Sequence, residues 1–370
     1  MNAALRGFVF CVGAMVYLEL GDLRAQDVKE RAALAGHPGD VTHVAFTPNG
    51  KILAAGSQDG AKRQTKLWDI GVPRALATVE GNWPDFSPDG KWLATKVDDK
   101  TVALWDSASS KEIRRFSNAE DCVFGPVGNV LGVMGSDKKV TVWDTKTWKE
   151  VRTLDYARIT YFSDGKGIVA QATNGDIAIL NAETGKLVNT LKGHKEVPMV
   201  AISPDGKLLA SNEFALPDAI LWDIAKHEKR ATLAAAGSRQ LIGRLVFSPD
   251  SKILATAIGN ADFTVIGGQY SVRLWDSATG KEVATFSGHP GGVAALAISP
   301  DAKFMATAAS DDLIRVWDMK TGDQIGKWKA HKVKRIGIHS LAFSPDGSIL
   351  ASGSEDDVVR IWETKAFTNR

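Results

Sequence analysis

The sequence predicts an all-β fold, an eight-bladed β-propeller made of four-stranded antiparallel blades. Three recurring signals carry this prediction: a Trp-Asp pair at the end of an apolar strand, a Pro-Asp turn before it, and an apolar position after it. The signals recur about every 40 residues, a period typical of repeats that each supply one small sheet. A ring of such sheets protects their edges and covers their apolar faces.

The Trp-Asp pair marks the third strand of each unit. It occurs as Trp68-Asp69, Trp105-Asp106, Trp143-Asp144, Trp222-Asp223, Trp275-Asp276 and Trp317-Asp318, with Trp362-Glu363 and Leu180-Asn181 as variants. These copies define blades 1 to 8, ending near residues 68, 105, 143, 180, 222, 275, 317 and 362. The alternative is a seven-bladed ring with residues 156–181 distorted. Eight is favoured because that segment keeps its turn, apolar positions and length.

Turns and a further apolar position complete the four-stranded pattern, whose strands are lettered a to d along the chain. The turns FTPNG (46–50), FSPDG (86–90), ISPDG (202–206) and FSPDG (343–347) exemplify the link between strands a and b. Proline presets one φ angle there, and Asp, Asn or Gly tolerates the positions that follow. The apolar residues that predict strand d are Val79, Phe116, Leu154, Leu191, Leu233, Phe286 and Trp328.

The start of the repeat region matches the strand that blade 8 lacks. Residues 29–37, KERAALAGH, align in register with residues 281–289, KEVATFSGH, whereas ETKAFTNR alone follows Trp362. We therefore expect residues 29–35 to pair with the strand of Trp362. This pairing would close the ring and remove open sheet edges, which otherwise invite aggregation.

The first 25 residues have the layout of a secretory signal peptide. Arg6 precedes an apolar run at 7–18, and cleavage is predicted after Ala25. The run is shorter than the roughly 20 residues that cross a bilayer, so no membrane span is expected after cleavage. An uncleaved anchor and a buried helix of the mature domain are the alternatives. The prediction is an exported protein, periplasmic or extracellular, whose domain spans 26–370.

Composition limits the partner and cofactor classes. The formal net charge is +2, which does not favour nucleic acid as a partner. Of the two cysteines, Cys11 and Cys122, cleavage would leave Cys122 alone and no intramolecular disulfide. No metal-binding or phosphate-loop motif stands in the sequence, so we predict no metal and no cofactor.

From about residue 29 onward, the phased Trp-Asp pairs, turns and Gly-His pairs resemble the WD40-repeat family. The Gly-His pairs are Gly36-His37, Gly193-His194 and Gly288-His289, with Ala330-His331 equivalent. The resemblance implies buried hydrogen-bond chains from Trp through Ser or Thr and His to Asp. The side chains assigned to these structural tetrads are His289, Thr307, Asp311 and Trp317 in blade 7, and His331, Ser352, Asp356 and Trp362 in blade 8.

These tetrads also contain the residue types of a Ser-His-Asp triad. Their repetition, and their degeneracy where Ala55 replaces the hydroxyl residue in blade 1, argue against a unique nucleophile. We predict no catalytic residues. Cys122 falls within a strand and is interpreted as a core residue.

Loop length suggests which face binds a partner. The b–c and d–a loops share one face, and they are longest over blades 5, 6, 8 and 1. The candidate partner-binding residues on them are Lys62, Arg63, Arg239, Phe263, Tyr270, Lys332, Lys334 and Arg335. Neutral drift and a solvated charged rim are the alternative interpretations.

The predicted function is a monomeric, non-catalytic protein-interaction scaffold whose unidentified partner is acidic or of mixed polarity. One alternative is a propeller enzyme, hydrolase- or lactonase-like, with a metal in the central channel. The innermost strands are mostly small and apolar, and His43 and His339 are the exceptions that such a site would use. A second alternative is a module that binds a cell-envelope polymer. A translocation propeller is less favoured, because of the Trp-Asp and Gly-His pairs.

Overall fold

The computed structural model describes residues 28–127, 129–213, 216–234, 241–259, 270–332 and 337–368. The predicted signal peptide, 1–25, lies outside these residues. Within them, strands form eight four-stranded sheets, and all strand pairs in the sheets are antiparallel. The eight-bladed prediction is confirmed, and the seven-bladed alternative is wrong because residues 158–191 form a regular blade 4.

The strands follow one another blade by blade. The first is β1 (Glu30–Leu34). Blades 1 to 4 contain β2 (Asp40–Phe46), β3 (Ile52–Asp59), β4 (Lys62–Asp69), β5 (Arg74–Glu80), β6 (Asn82–Phe86), β7 (Trp92–Asp98), β8 (Thr101–Asp106), β9 (Glu112–Ser117), β10 (Ala119–Phe124), β11 (Val130–Gly135), β12 (Val140–Asp144), β13 (Glu150–Leu154), β14 (Arg158–Tyr161), β15 (Gly167–Gln171), β16 (Ile177–Asn181) and β17 (Leu187–Leu191).

The second half of the ring repeats this order. Blades 5 to 8 contain β18 (Met199–Ile202), β19 (Leu208–Asn212), β20 (Asp218–Asp223), β21 (Glu228–Ala234), β22 (Leu241–Phe247), β23 (Ile253–Gly259), β24 (Tyr270–Asp276), β25 (Glu282–His289), β26 (Ala295–Ile298), β27 (Phe304–Ala308), β28 (Leu313–Asp318), β29 (Gln324–Lys329), β30 (Ile338–Phe343), β31 (Ile349–Ser354) and β32 (Val359–Glu363). A short helix, α1 (Lys365–Thr368), follows. Within the described residues, no helix is long and apolar enough to cross a membrane.

The first strand completes the last blade, as the sequence predicts. Strand β1 pairs antiparallel with β32, with Leu34 opposite Val359 and Glu30 opposite Trp362. Leu34 is 2% exposed and packs in one apolar cluster with Val41, Trp68 and Ile361. The closing strand therefore joins blade 8 by hydrogen bonds and contributes to the core between blades 8 and 1.

The core lies between neighbouring blades rather than inside any one sheet. Trp105 of blade 2 packs with Leu67 and Val79 of blade 1, and Trp222 of blade 5 packs with Ile177 and Leu191 of blade 4. In blade 4, Leu180 takes the tryptophan position and packs against Val140 of blade 3. An apolar leucine fills enough of this space to explain why the variant Leu180-Asn181 still builds a blade.

Side-chain hydrogen bonds fix most of the turns between strands a and b and between strands c and d that the structure describes. In the a–b turn of blade 2, Ser87 Oγ donates to Asp89 Oδ1 at 2.6 Å and accepts a bond from Trp92 N at 2.9 Å. The Asp of the Trp-Asp pair caps the c–d turn: Asp106 Oδ1 accepts a bond from Ser109 N at 2.8 Å. In blade 4, Asn181 Oδ1 accepts the equivalent bond from Thr184 N at 2.8 Å, because an amide oxygen can accept a hydrogen bond as a carboxylate oxygen does.

We predict that Leu34→Ala lowers the free energy of unfolding by about 2–3 kcal/mol, because it removes a buried side chain from the interface that closes the ring. Urea unfolding measures this. The matched control is Ala33→Ser, on the exposed side of the same strand, which should change the free energy by less than about 0.5 kcal/mol. Equal effects of the two substitutions would contradict a closing role for the buried face of β1.

Candidate protein-interaction face

The b–c and d–a loops emerge on one face of the ring, because successive strands of each blade run in opposite directions. On this face Lys62 is exposed at the start of β4. Arg63 donates to the Asp99 carboxylate of the neighbouring blade at 2.8 Å, with side-chain exposures of 16% and 83%. This hydrogen bond lowers the pKa of Asp99. The Arg63–Asp99 pair thus presents both charges, so the face is mixed rather than purely basic at this point.

The remaining candidate binding residues have different environments. Lys332 is exposed, and its backbone N donates to Asp356 Oδ2 at 3.1 Å. Tyr270 opens β24 and is 3% exposed, so it belongs to the buried part of blade 6 and is not a surface anchor. Arg239, Phe263, Lys334 and Arg335 lie outside the described residues.

A buried hydrogen-bond chain links the core of blade 8 to this face. Trp362 Nε1 donates to Ser352 Oγ at 3.0 Å, and Ser352 Oγ lies 2.7 Å from His331 Nε2. His331 Nδ1 is 2.9 Å from Asp356 Oδ1. Burial lowers the pKa of His331, although Asp356 acts in the opposite direction. The imidazole therefore links strands β31 and β32 to the loop that carries Asp356.

The equivalent chain in blade 7 stops at the histidine. Trp317 Nε1 donates to Thr307 Oγ1 at 2.8 Å, and His289 Nε2 is 2.9 Å from the same hydroxyl. His289 Nδ1 has no hydrogen-bond partner. Asp311 bonds Arg315 at 2.5 Å instead, so the expected His-to-Asp link is missing in this blade.

Blade 5 holds a third chain, which the sequence analysis does not predict. Trp222 Nε1 donates to Ser211 Oγ at 2.7 Å, and Ser211 Oγ lies 2.7 Å from His194 Nε2. Glu213 takes the acidic place, with Oε2 3.8 Å from His194 Nδ1. Gly193-His194 and Ser211 are the sequence signals for this chain. The acid is not predicted because it is a glutamate, at a different spacing from the hydroxyl residue than Asp356 has in blade 8.

In blade 1 the hydroxyl is missing, and its two neighbours lack a partner. Ala55, which is fully buried, stands at the hydroxyl position. Trp68 Nε1 and His37 Nε2 are buried without hydrogen bonds. His37 Nδ1 lies 3.2 Å from the carbonyl oxygen of Asp357 in blade 8. Burial lowers the pKa of His37 to about 4, so this ring is neutral near pH 7.

An exposed tryptophan stands at the channel end of blade 2, where the d–a loop enters. Trp83, on the innermost strand β6, is 55% exposed. Its ring stacks on His43 of blade 1 with centroids 3.8 Å apart and an interplanar angle of 29°. Its backbone has φ +55°, a conformation that non-glycine residues rarely adopt. The signal for Trp83 was the segment NWPDF, which interrupts the apolar pattern of innermost strands.

Acidic side chains continue the channel wall beyond Trp83. Asp85 follows on β6, and Asp121 on β10 lies 3.7 Å from the Arg158 guanidinium of blade 4. Asp85 is exposed as a residue, but the atoms crowded around its carboxyl group displace water and raise its pKa to about 6, and the nearby Asp121 adds to the rise. Among the described residues, no group of three or more His, Cys, Asp or Glu side chains is arranged to hold a metal ion.

Comparison with known proteins gives a consistent family match. The family model described as "WD domain, G-beta repeat" matches residues 28–69, 78–106, 185–212, 280–318 and 322–363. The crystal structure of the computationally designed Ika8 protein superposes with a TM-score of 0.72, at 25% identity, covering 90% of this chain and 99% of that one. This solved structure supports the same fold.

Two curated relatives are similar over most of this chain. The nuclear distribution protein PAC1 of Arthroderma otae is 26% identical over 310 residues, which are 78% of this chain and 61% of that protein. The transcriptional corepressor LEUNIG_HOMOLOG of Arabidopsis thaliana is 26% identical over 287 residues, 74% of this chain and 34% of the relative. The chain therefore spans about 61% and 34% of the lengths of these relatives.

We predict opposite effects for adding and removing a hydroxyl at equivalent positions. Ala55→Ser should raise the free energy of unfolding by about 1 kcal/mol, because the new hydroxyl can bond Trp68 Nε1 and His37 Nε2. Ser352→Ala should lower the free energy of unfolding by about 2 kcal/mol, because it leaves Trp362 Nε1 and His331 Nε2 buried without a hydrogen-bond partner. Chemical denaturation of both variants measures this. Destabilisation by Ala55→Ser would show that the chain does not form in blade 1.

Proposed function

Because the chain is a WD40-repeat β-propeller, we propose that it is a non-catalytic scaffold that docks a protein partner on the face carrying the d–a and b–c loops. WD40 propellers typically act as protein-interaction scaffolds. The histidines that resemble catalytic groups support this proposal. His331, His289 and His194 are hydrogen-bonded to hydroxyl groups of neighbouring strands, where they stabilise the platform.

The observation that carries the proposal is Trp83. A large aromatic side chain that is more than half exposed, and yet held in one orientation by stacking on His43, is a preorganised anchor. Its left-handed backbone costs of order 1–3 kcal/mol, a strain that tends to persist at functional positions. Trp83 also stands where the channel opens among the loops, so a partner on this face would cover it.

Charge on the face favours a partner of mixed polarity. Lys62 and Lys332 are exposed, while the Asp99 carboxylate lies in the b–c turn of blade 2. Exposed charges at the rim steer association, whereas aromatic anchors supply most of the affinity. One relative is named for nuclear distribution and another for transcriptional corepression, so the names point to no single partner for this chain.

The test compares Trp83→Ala with Val188→Ala, which truncates a side chain that is 57% exposed on outer strand β17. Partners captured by the parent protein are purified, and their dissociation constants are measured by calorimetry. Trp83→Ala should weaken binding at least tenfold, as expected for loss of a hot-spot tryptophan, and Val188→Ala should leave it unchanged. Unchanged binding by Trp83→Ala, or equal weakening by both variants, would refute docking at the channel opening.

We also propose export, on the basis of the amino-terminal sequence. The charged start, the apolar run at 7–18 and the small residue at Ala25 together support cleavage by a signal peptidase. Intact-mass spectrometry of carboxy-terminally tagged protein from its native cells tests this: the mature chain should begin at Gln26. A chain that retains Met1 and stays inside the cell would overturn the proposal.

A further inference from the structure

One ring of side chains lines the channel at the same register in all eight blades. Asp85 pairs with Ala94 on strand b of blade 2, and its equivalents pair with the corresponding place in the other blades. The members of this Asp85 ring are Ala45, Asp85, Val123, Thr160, Ala201, Val246, Ala297 and Ala342. None of them is buried, so the ring is open to the channel.

Asp85 is the charged member of this ring. Its neighbours are alanine, valine and threonine, which are too short and have no charge to neutralise the carboxylate. On the innermost strands the cations are Arg158 and Arg244. Arg158 lies 3.7 Å from Asp121, and Arg244 belongs to blade 6, which stands opposite blade 2 in a ring of eight. An exposed carboxylate thus stands in an otherwise apolar ring, where a cation would be attracted to it.

Trp83 lies beside Asp85 on the same strand, nearer the loop face. Along β6 the residues alternate in exposure: Asn82, Pro84 and Phe86 are buried, whereas Trp83 and Asp85 are exposed. A β-bulge spans Asn82 to Asp85, and both exposed side chains still project away from the packed sides of the blade. Two residues of a strand span about 7 Å, so one long side chain entering from the loop face can contact both groups.

The indole ring of Trp83 has one face free for such a side chain. One face stacks on His43, and no other aromatic ring or basic group stacks on the indole among the described residues. Burial lowers the pKa of His43 to about 4, so this imidazole is neutral near pH 7 and does not itself supply a cation. The face of a tryptophan attracts an ammonium or guanidinium group.

Trp83 and Asp85 therefore favour the same ligand chemistry. A purely apolar group would cover the carboxylate without neutralising it, which is costly, and an anion would be repelled by it. Lysine and arginine combine an apolar stem, which can cover an aromatic ring, with a cationic end, which can pair with a carboxylate. No other common side chain offers both at neutral pH.

We propose that Trp83 and Asp85 form a subsite for a basic side chain, lysine or arginine, of the partner that docks on the loop face. The stem packs on the free face of the indole, and the cationic end pairs with the carboxylate one step deeper in the channel. This inference rests on the proposed docking function and adds the chemistry of the partner residue that enters the channel.

The test is a titration of the purified protein with short peptides blocked at both ends, Gly-Arg-Gly, Gly-Lys-Gly and Gly-citrulline-Gly. Indole N–H resonances are followed by NMR, and Trp83→Phe assigns one of the 11 tryptophans. The arginine and lysine peptides should shift the Trp83 resonance saturably. The citrulline peptide, which is neutral and similar in shape to the arginine peptide, should bind at least tenfold more weakly because it cannot pair with a carboxylate.

Substitution of the carboxylate tests its role with little change of shape. Asp85→Asn should raise the dissociation constant of the arginine peptide at least tenfold, because the amide keeps the size of the side chain and removes its charge. The matched control is Asp323→Asn, at an exposed aspartate in the c–d turn of blade 7, and this variant should bind as the parent does. Thermal unfolding checks that each variant is folded.

The affinity should also depend on pH in a way that reports on Asp85. A cation pairs with the ionised carboxylate, and a carboxyl group with a pKa of about 6 is only about one-tenth ionised at about pH 5. The dissociation constant should therefore be about tenfold higher at about pH 5 than at about pH 7.5, because few carboxylates are ionised at the lower pH. Asp85→Asn should remove this dependence, whereas Asp323→Asn should keep it.

The outcomes separate this subsite from docking in general. No saturable shift with either basic peptide, equal affinity for the citrulline peptide, or unchanged affinity in Asp85→Asn would overturn the subsite. If Trp83→Ala weakens binding of the captured partner but Asp85→Asn does not, docking stands and the basic side chain is refuted. If the basic peptides bind through Asp85 but Trp83→Ala leaves partner binding unchanged, the subsite exists and docking at the channel opening is refuted.

Discussion

The structure depends on apolar contact between adjacent blades. Each four-stranded sheet has two apolar faces and no core of its own, so it is stable only with a neighbour on either side. The tryptophans before the acidic residues illustrate this, because Trp105 and Trp222 bury themselves against the preceding blade. A closed ring gives every sheet a neighbour on both faces, and strand β1 supplies the outer strand that completes blade 8.

The buried hydrogen-bond chains from Trp to the acidic residue reinforce this apolar packing locally. Where hydroxyl, histidine and acid are all present, as in blade 8, the loop face is tied to the core through three hydrogen bonds. Where a member is replaced, as by Ala55 in blade 1, polar atoms remain unsatisfied and the link is weaker. The blades are equivalent in backbone, but their loops are held by different numbers of side-chain hydrogen bonds.

The repeated features of the fold were predictable from sequence, because each depends on local chemistry that recurs in register. Leu180-Asn181 could be placed because an apolar residue and a turn-capping oxygen suffice there. Features that occur once were harder. The roles of Trp83 and Glu213 depend on contacts with His43 and His194, which are distant in sequence. Tyr270 was wrongly predicted to be exposed because it lies at the end of an insertion, whereas it begins a buried strand.

Closure by the first strand has a consequence for how the chain matures. Strand β1 is synthesised well before its partner β32, because the strands of blades 1 to 7 lie between them in the chain. Contacts of such large sequence separation make ring closure slow relative to formation of each hairpin. During that interval blades 1 and 8 expose apolar faces that the finished ring hides, which makes the nascent chain a natural client for chaperones.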